Sequence, residues 1–143
     1  MKDKKFKTGT KQEQNIEAGI KKFNTFFGED EQIFPSFRKV SPDFADYCAG
    51  FIYGDLFLRE GIDDKTRFLA IIGSLIGQGN TGLPLRRYIY GALCAGWKKE
   101  ELVEVIIVLS AYAGFPSAVV ALYTAEEAFT AFEKKSNGEP ADI

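Results

Sequence analysis

The sequence contains no histidine at all. It has one tryptophan, one methionine and two cysteines, Cys48 and Cys94, which stand far apart and form no CxxC pair. Each shortage removes a class of chemistry. Without histidine or clustered thiols there is no ligand set for zinc, and a thioredoxin-type redox pair is excluded. No metal and no cofactor are expected. Each cysteine lies in an apolar helical pattern, so two reduced, packed thiols are expected rather than a disulfide. Charge of one sign is also lacking: 18 Lys and Arg against 20 Asp and Glu leave a net charge of −2. The basic footprint of a nucleic-acid binder is therefore missing. The first residues, MKDKKFKTGTKQEQ, lack the apolar core of a secretory signal, and a cytoplasmic protein is expected.

Apolar residues are plentiful. They make up 45% of the 143 residues, with thirteen Phe, which suits one domain with a sizeable core. The uncharged run from Val105 to Ala125 is long enough to span a bilayer. However, Gly114, Pro116 and Ser117 interrupt it with a helix stop and a new start. Two shorter, buried helices are expected there, and no membrane span.

The periodicity is helical throughout. Residues 1–10 read as a flexible basic arm, 11–135 as a single all-α domain and 136–143 as a flexible tail. A first helix carries Ile16, Ile20, Phe23 and Phe27 on one face and stops at Gly28. Residues 28–37, with Pro35, read as a connector. Ser41, Pro42 and Asp43 open a helix expected to reach Leu58. Asp63 caps the next, whose Phe68, Leu69, Ile71, Ile72, Leu75 and Ile76 predict the most buried helix of the chain. Its Gly73 and Gly77 are four apart and suit the close approach of a neighbour, or simply weaken the helix. The segment LPLRRYIYGALCAG follows, with Leu85, Tyr88, Ile89, Ala92 and Leu93 on one face and Gly96 as its stop. Glu100 and Glu101 open the next helix. Ser117 opens the last, with a stripe of Val119, Leu122, Ala125, Phe129 and Phe132. About six helices and no strand are expected. Several are apolar on more than one side, which argues for self-association.

The order of motifs resembles the carboxymuconolactone decarboxylase family, which includes the alkylhydroperoxidase-D-like proteins. The markers are GIDDKTR, LRRYIYGALCAG, EELVEV and AYAGFPSA, over about residues 44–132. The resemblance implies an alkylhydroperoxidase-D-like all-helical fold. It also implies homo-oligomers, trimers or hexamers, with sites near subunit contacts. It suggests a lyase or decarboxylase acting on a small carboxylate or lactone. The family's usual histidine position is occupied by Tyr88, and the loop GQGNTGLP lacks the CxxC of peroxidase-type members. A thiol peroxidase needs an attacking thiolate and a resolving cysteine, so that activity is excluded. The other reading is a non-catalytic oligomeric member that binds a small ligand or a protein partner.

The candidate site residues follow. Tyr88 is read as general acid or oxyanion donor in the histidine's place, or as an aromatic core residue with its hydroxyl bonded. A phenol of ordinary pKa roughly 10 needs cationic help to move a proton near neutrality. Arg67 is read as a carboxylate clamp, or as a partner of Asp63 or Asp64. Arg86 and Arg87 diverge by about 100° on a helix, so at most one shares a pocket with Tyr88. Tyr112 and Tyr53 are further candidates to line a substrate cavity, with core packing as the alternative for Tyr112. Asp55 beside Tyr53 is a possible polar rim or an ion-pair partner.

Overall fold

A computed structural model describes residues 9–29 and 31–143. The fold is all-helical, with no strand among these residues. The helices are α1 (Lys11–Phe27), α2 (Ile33–Val40), α3 (Pro42–Tyr47), α4 (Asp64–Gly77), α5 (Leu83–Cys94), α6 (Lys99–Ala113) and α7 (Phe115–Ser136). A π-helical turn, Cys48–Tyr53, continues α3, and a 3-10 turn covers Leu56–Leu58. The chain divides into two compact units, residues 1–60 and 61–143.

In the first unit, α1 begins at a reciprocal cap. The Glu13 amide donates to Thr10 Oγ1 at 3.2 Å, and the Thr10 amide donates to Glu13 Oε2 at 2.6 Å. The rest of the expected basic arm, residues 1–8, lies outside the described residues, as does Asp30 of the expected connector. The connector expected over residues 28–37 contains α2 instead. Pro35 is its third residue, and the first four amides of a helix have no intrahelical acceptor, so the proline removes no bond. That helix raises the count from the expected six to seven.

The helix expected from Ser41 to Leu58 is also broken up. Ser41 caps α3 as expected, accepting from the Phe44 amide at 3.2 Å. The backbone then widens, and the Gly54 amide donates to the Ala49 carbonyl at 2.8 Å, five residues back. The cause is the approach of α1. A Cβ on Gly19 would stand 1.8 Å from the Ala49 carbonyl oxygen, and one on Gly54 would stand 2.0 Å from the Asn15 carbonyl oxygen. Above this contact an aromatic cluster closes the unit. Phe23 meets Phe27, Phe34 and Tyr53 at ring separations of 4.5, 4.8 and 5.0 Å.

In the second unit, Asp63 caps α4 as expected, with the Thr66 amide donating to Oδ1 at 2.7 Å. The most buried helix is α5 rather than α4. It buries Leu85, Arg87, Ile89, Tyr90, Gly91, Ala92 and Leu93 because it packs against both α4 and α7. Leu69, Ile71 and Leu75 of α4 are only half-buried. Space around Gly73 and Gly77 is open, so neither admits a close neighbour. The break expected inside the Val105–Ala125 run is present: Gly114 adopts φ 94°, and Pro116 lies in the first turn of α7.

The two helices flanking that break are not fully buried. The inner face of α7 is a row of alanines, Ala118, Ala121, Ala125, Ala128 and Ala131, joined by Thr124. Of the expected stripe only Ala125 is fully buried, and Val119 and Leu122 face outward. Small side chains let α5 and α6 lie close to α7, and the larger ones are left on the outside. Thr124 donates to the Thr81 carbonyl at 2.5 Å and ties down the α4–α5 loop. The Trp97 indole donates to the Lys65 carbonyl at 2.8 Å, with the Lys65 ammonium 4.3 Å from the ring centre. Residues 137–143 form no helix, yet Ile143 is buried. No helix among the described residues is long and apolar enough to cross a membrane.

The glycines give a paired prediction. Gly19→Ala drives a methyl into a backbone carbonyl and should lower stability by at least about 3 kcal/mol in urea unfolding followed by circular dichroism. Gly73→Ala meets nothing within 4 Å and should raise stability by about 0.5–1 kcal/mol.

Candidate functional site

The family-like site helix is α5, and Tyr88 lies on the side of it that meets α4. Its ring is half-buried, 6.1 Å from that of Phe68 and tilted to it. Arg67 precedes Phe68 on α4, one turn inside a helix start that holds it in place. Thr66, through side chain and backbone, lends hydrogen bonds that keep the Asp63 carboxyl below the usual carboxylate range. The Arg67 residue is only 9% exposed. Its Nη1 donates to Asp64 Oδ1 at 2.7 Å, and its Nη2 donates to the Ile62 carbonyl at 3.1 Å. The guanidinium thus closes on its own helix start, leaving fewer donors for an external carboxylate.

Arg86 turns toward α7 and Asp142, and Arg87 toward Ile143. Arg87 donates from Nη2 to the Ile143 carbonyl oxygen at 2.9 Å in a buried contact. Arg86 reaches Glu127 at 3.9 Å and Asp142 at 3.6 Å. Sequence reading missed Glu127, Asp142 and Ile143 as partners. Ile143 lies 56 positions from Arg87, beyond any helical period.

The two remaining tyrosines do not join this group. Tyr53 is a core residue of the first unit, packed on Phe23 and Phe57. It is the last residue of the π turn. Tyr112 does not pack in the core, being 87% exposed at the end of α6. Asp55 is exposed and borders a surface cavity of about 470 Å³ with Lys11, Tyr47 and Phe51. A second cavity of about 440 Å³ lies between α7 and residues 141–142, and a third of about 540 Å³ lies along α1. Arg67 and Tyr88 line none of these three. No group of His, Cys, Asp and Glu suited to a metal ion occurs among the described residues.

Both cysteines are free thiols. Cys94 is not packed away as expected, since part of the residue reaches solvent at the end of α5. Burial of the thiol pushes its pKa up to about 11, and a hydrogen bond with Tyr90 acts in the opposite direction. A raised value keeps the group protonated through neutral pH, and thiolate appears only as pH climbs toward that value. Alkylation of Cys94 by iodoacetamide at pH 8 should run roughly a hundredfold slower than that of an unperturbed cysteine, rising steadily to pH 11. Cys48→Ser isolates the signal for mass spectrometry.

Comparison with known proteins places this geometry in context. A 4-carboxymuconolactone decarboxylase from Acinetobacter baylyi is 29% identical over 119 residues, covering 82% of this chain and 88% of that protein. An uncharacterized 15.0 kDa protein in the nqo9-nqo10 intergenic region of Paracoccus denitrificans is 40% identical over 78 residues. That match covers 54% of this chain and 58% of the Paracoccus protein. The model of the carboxymuconolactone decarboxylase family matches residues 42–127, from the start of α3 into α7. Since that match spans more than half of its length, the chain belongs to the carboxymuconolactone decarboxylase family.

Proposed function

We propose that the protein is a self-associating, non-catalytic member of its family that has kept the fold and lost the decarboxylation chemistry. The observation that carries this reading is the position of Arg67. Its guanidinium is held by Asp64 and the Ile62 carbonyl, while Tyr88 stands in place of the family's histidine with its ring against Phe68. Protonating a carbanion or dienolate needs a group that gives and takes a proton near neutral pH. A guanidinium held by two acceptors does not do so, and the sequence has no histidine that would.

Self-association is supported by the exterior of α6 and α7. Ile107, Val108, Tyr112, Phe115, Val119, Val120 and Tyr123 are exposed, and no charged residue occurs from Val105 to Ala125. An uncharged patch of this kind on a single chain is the signature of a covered surface. A second copy of the chain is its natural occupant, giving the trimer or hexamer that the family pattern implies. Light scattering at micromolar concentration should give a mass that is a multiple of 15.9 kDa. Ile107→Glu with Val119→Glu should shift it to the mass of one chain, and a monomeric wild type would remove the proposal.

A lyase acting on a small carboxylate or lactone is the second reading. It is favoured by the 29% identity to a 4-carboxymuconolactone decarboxylase along 82% of the chain and by the half-exposed Tyr88. Here Tyr88 would donate the proton and Arg67 would steady the anion. An assay of 4-carboxymuconolactone consumption separates the two readings. The non-catalytic reading expects no turnover above blank; turnover that Tyr88→Phe abolishes would establish the lyase instead.

A further inference from the structure

Arg86 and Arg87 are adjacent on α5, and both meet the segment 141–143. Arg87 is only 9% exposed, and a buried guanidinium is tolerated only where acceptors surround it. One of its acceptors is the Ile143 carbonyl oxygen, and the Ile143 side chain is itself buried. Arg86 stands 3.6 Å from Asp142, too long for a tight ion pair, and its Nε is buried with no hydrogen-bond partner among the described residues. The segment thus brings to the two arginines an oxygen, a carboxylate and a branched aliphatic group.

We infer that Arg86 and Arg87 form a carboxylate-binding cradle, that segment 141–143 is its internal occupant, and that a small branched aliphatic carboxylate displaces the segment. Three features support this. Residues 137–143 are not held in a helix, so the segment leaves without unwinding one. Ala141 and Asp142 already form a wall of the 440 Å³ cavity, which also touches Tyr123, Glu127 and Lys134. Arg86 approaches Glu127 and Asp142, two of the residues that line that space. The charges agree as well. Arg86 faces Glu127 and Asp142, while Arg87 meets Ile143. Withdrawal of Asp142 leaves an excess positive charge, which one carboxylate neutralises through the two-pronged geometry that guanidinium groups favour. The cradle lies toward α7, apart from the α4 side of α5 where Tyr88 meets Phe68, so it does not depend on whether Tyr88 is catalytic.

The segment and the ligand compete, and apparent affinity falls by the fraction of molecules in which the cradle is open. Isovalerate titrated calorimetrically into the full chain tests this. Ile143→Gly removes the buried aliphatic anchor and should tighten isovalerate binding about tenfold, the gain expected if the wild-type cradle is open in about a tenth of molecules. Adding Arg87→Gln to that variant should abolish the gain. If Arg87→Gln loses its helical circular dichroism, Arg86→Gln, whose side chain reaches solvent, takes its place. Equal affinity in wild type and Ile143→Gly, no binding by either, or binding indifferent to the arginine substitutions would each overturn the proposal.

Discussion

The close approach of α7 to its neighbours is the constraint on which the second unit depends. A helix that presents alanine at positions 118, 121, 125, 128 and 131 lets α5 and α6 lie against it with little side chain between. Dispersion and apolar burial per contact are modest for alanine, but the number of contacts along a 22-residue helix is large. The same choice has an outward consequence. With the small residues inside, Phe115, Val119, Val120 and Tyr123 are left on the exterior beside Ile107, Val108 and Tyr112 of α6. Small residues inside and large ones outside are thus two results of one spacing along α7. The first unit follows the same logic with glycine. Gly19 and Gly54 let backbone touch backbone, and the π turn is the local distortion that this contact requires.

Placement of the arginines decides what α5 does. All three candidate guanidiniums lie near acidic or carbonyl oxygens, but at different ranges. Arg67 meets Asp64 three residues away, so its pairing is a property of one helix start. Arg87 meets Ile143 across 56 residues, so its pairing is a property of the folded unit. A locally satisfied arginine is a steady part of the scaffold. One satisfied by a segment outside any helix can exchange its partner, because breaking that contact disturbs no helical hydrogen bond. This difference sets the α4 side of α5, where Arg67 is tied to its own helix start, apart from the other side, where the Arg87 contact crosses the unit.

Family membership and the missing residues of the family's chemistry have to be held together. The chain matches the family across residues 42–127, and the relative from Acinetobacter baylyi carries a decarboxylase name. Yet the sequence has no histidine, and no CxxC stands before α5. Fold stability rests on distributed packing while catalysis rests on a few side chains, so membership of the family settles the first without settling the second.

Much of this was legible in the sequence alone. Asp63, Ser41 and the Gly114–Pro116 break set helix boundaries through contacts only a few residues long, and short-range contacts can be read from order. The motif order pointed to the family, and the absent histidine and CxxC bore on its chemistry. Other features needed the tertiary structure. Pro35 suggested a connector because a proline's tolerance depends on which turn of a helix it occupies. The Ser41 helix looked continuous because nothing in its own residues announces the carbonyl of Asn15 pressing on Gly54. Val119 and Leu122 looked like core because apolarity records only a preference for leaving water, not whether that happens within one chain or between chains. Arg87's acceptor lies at Ile143. Sequence determined the local choices, where the chain's own neighbours supply the energy; tertiary structure decided every pairing whose energy comes from residues far along the chain.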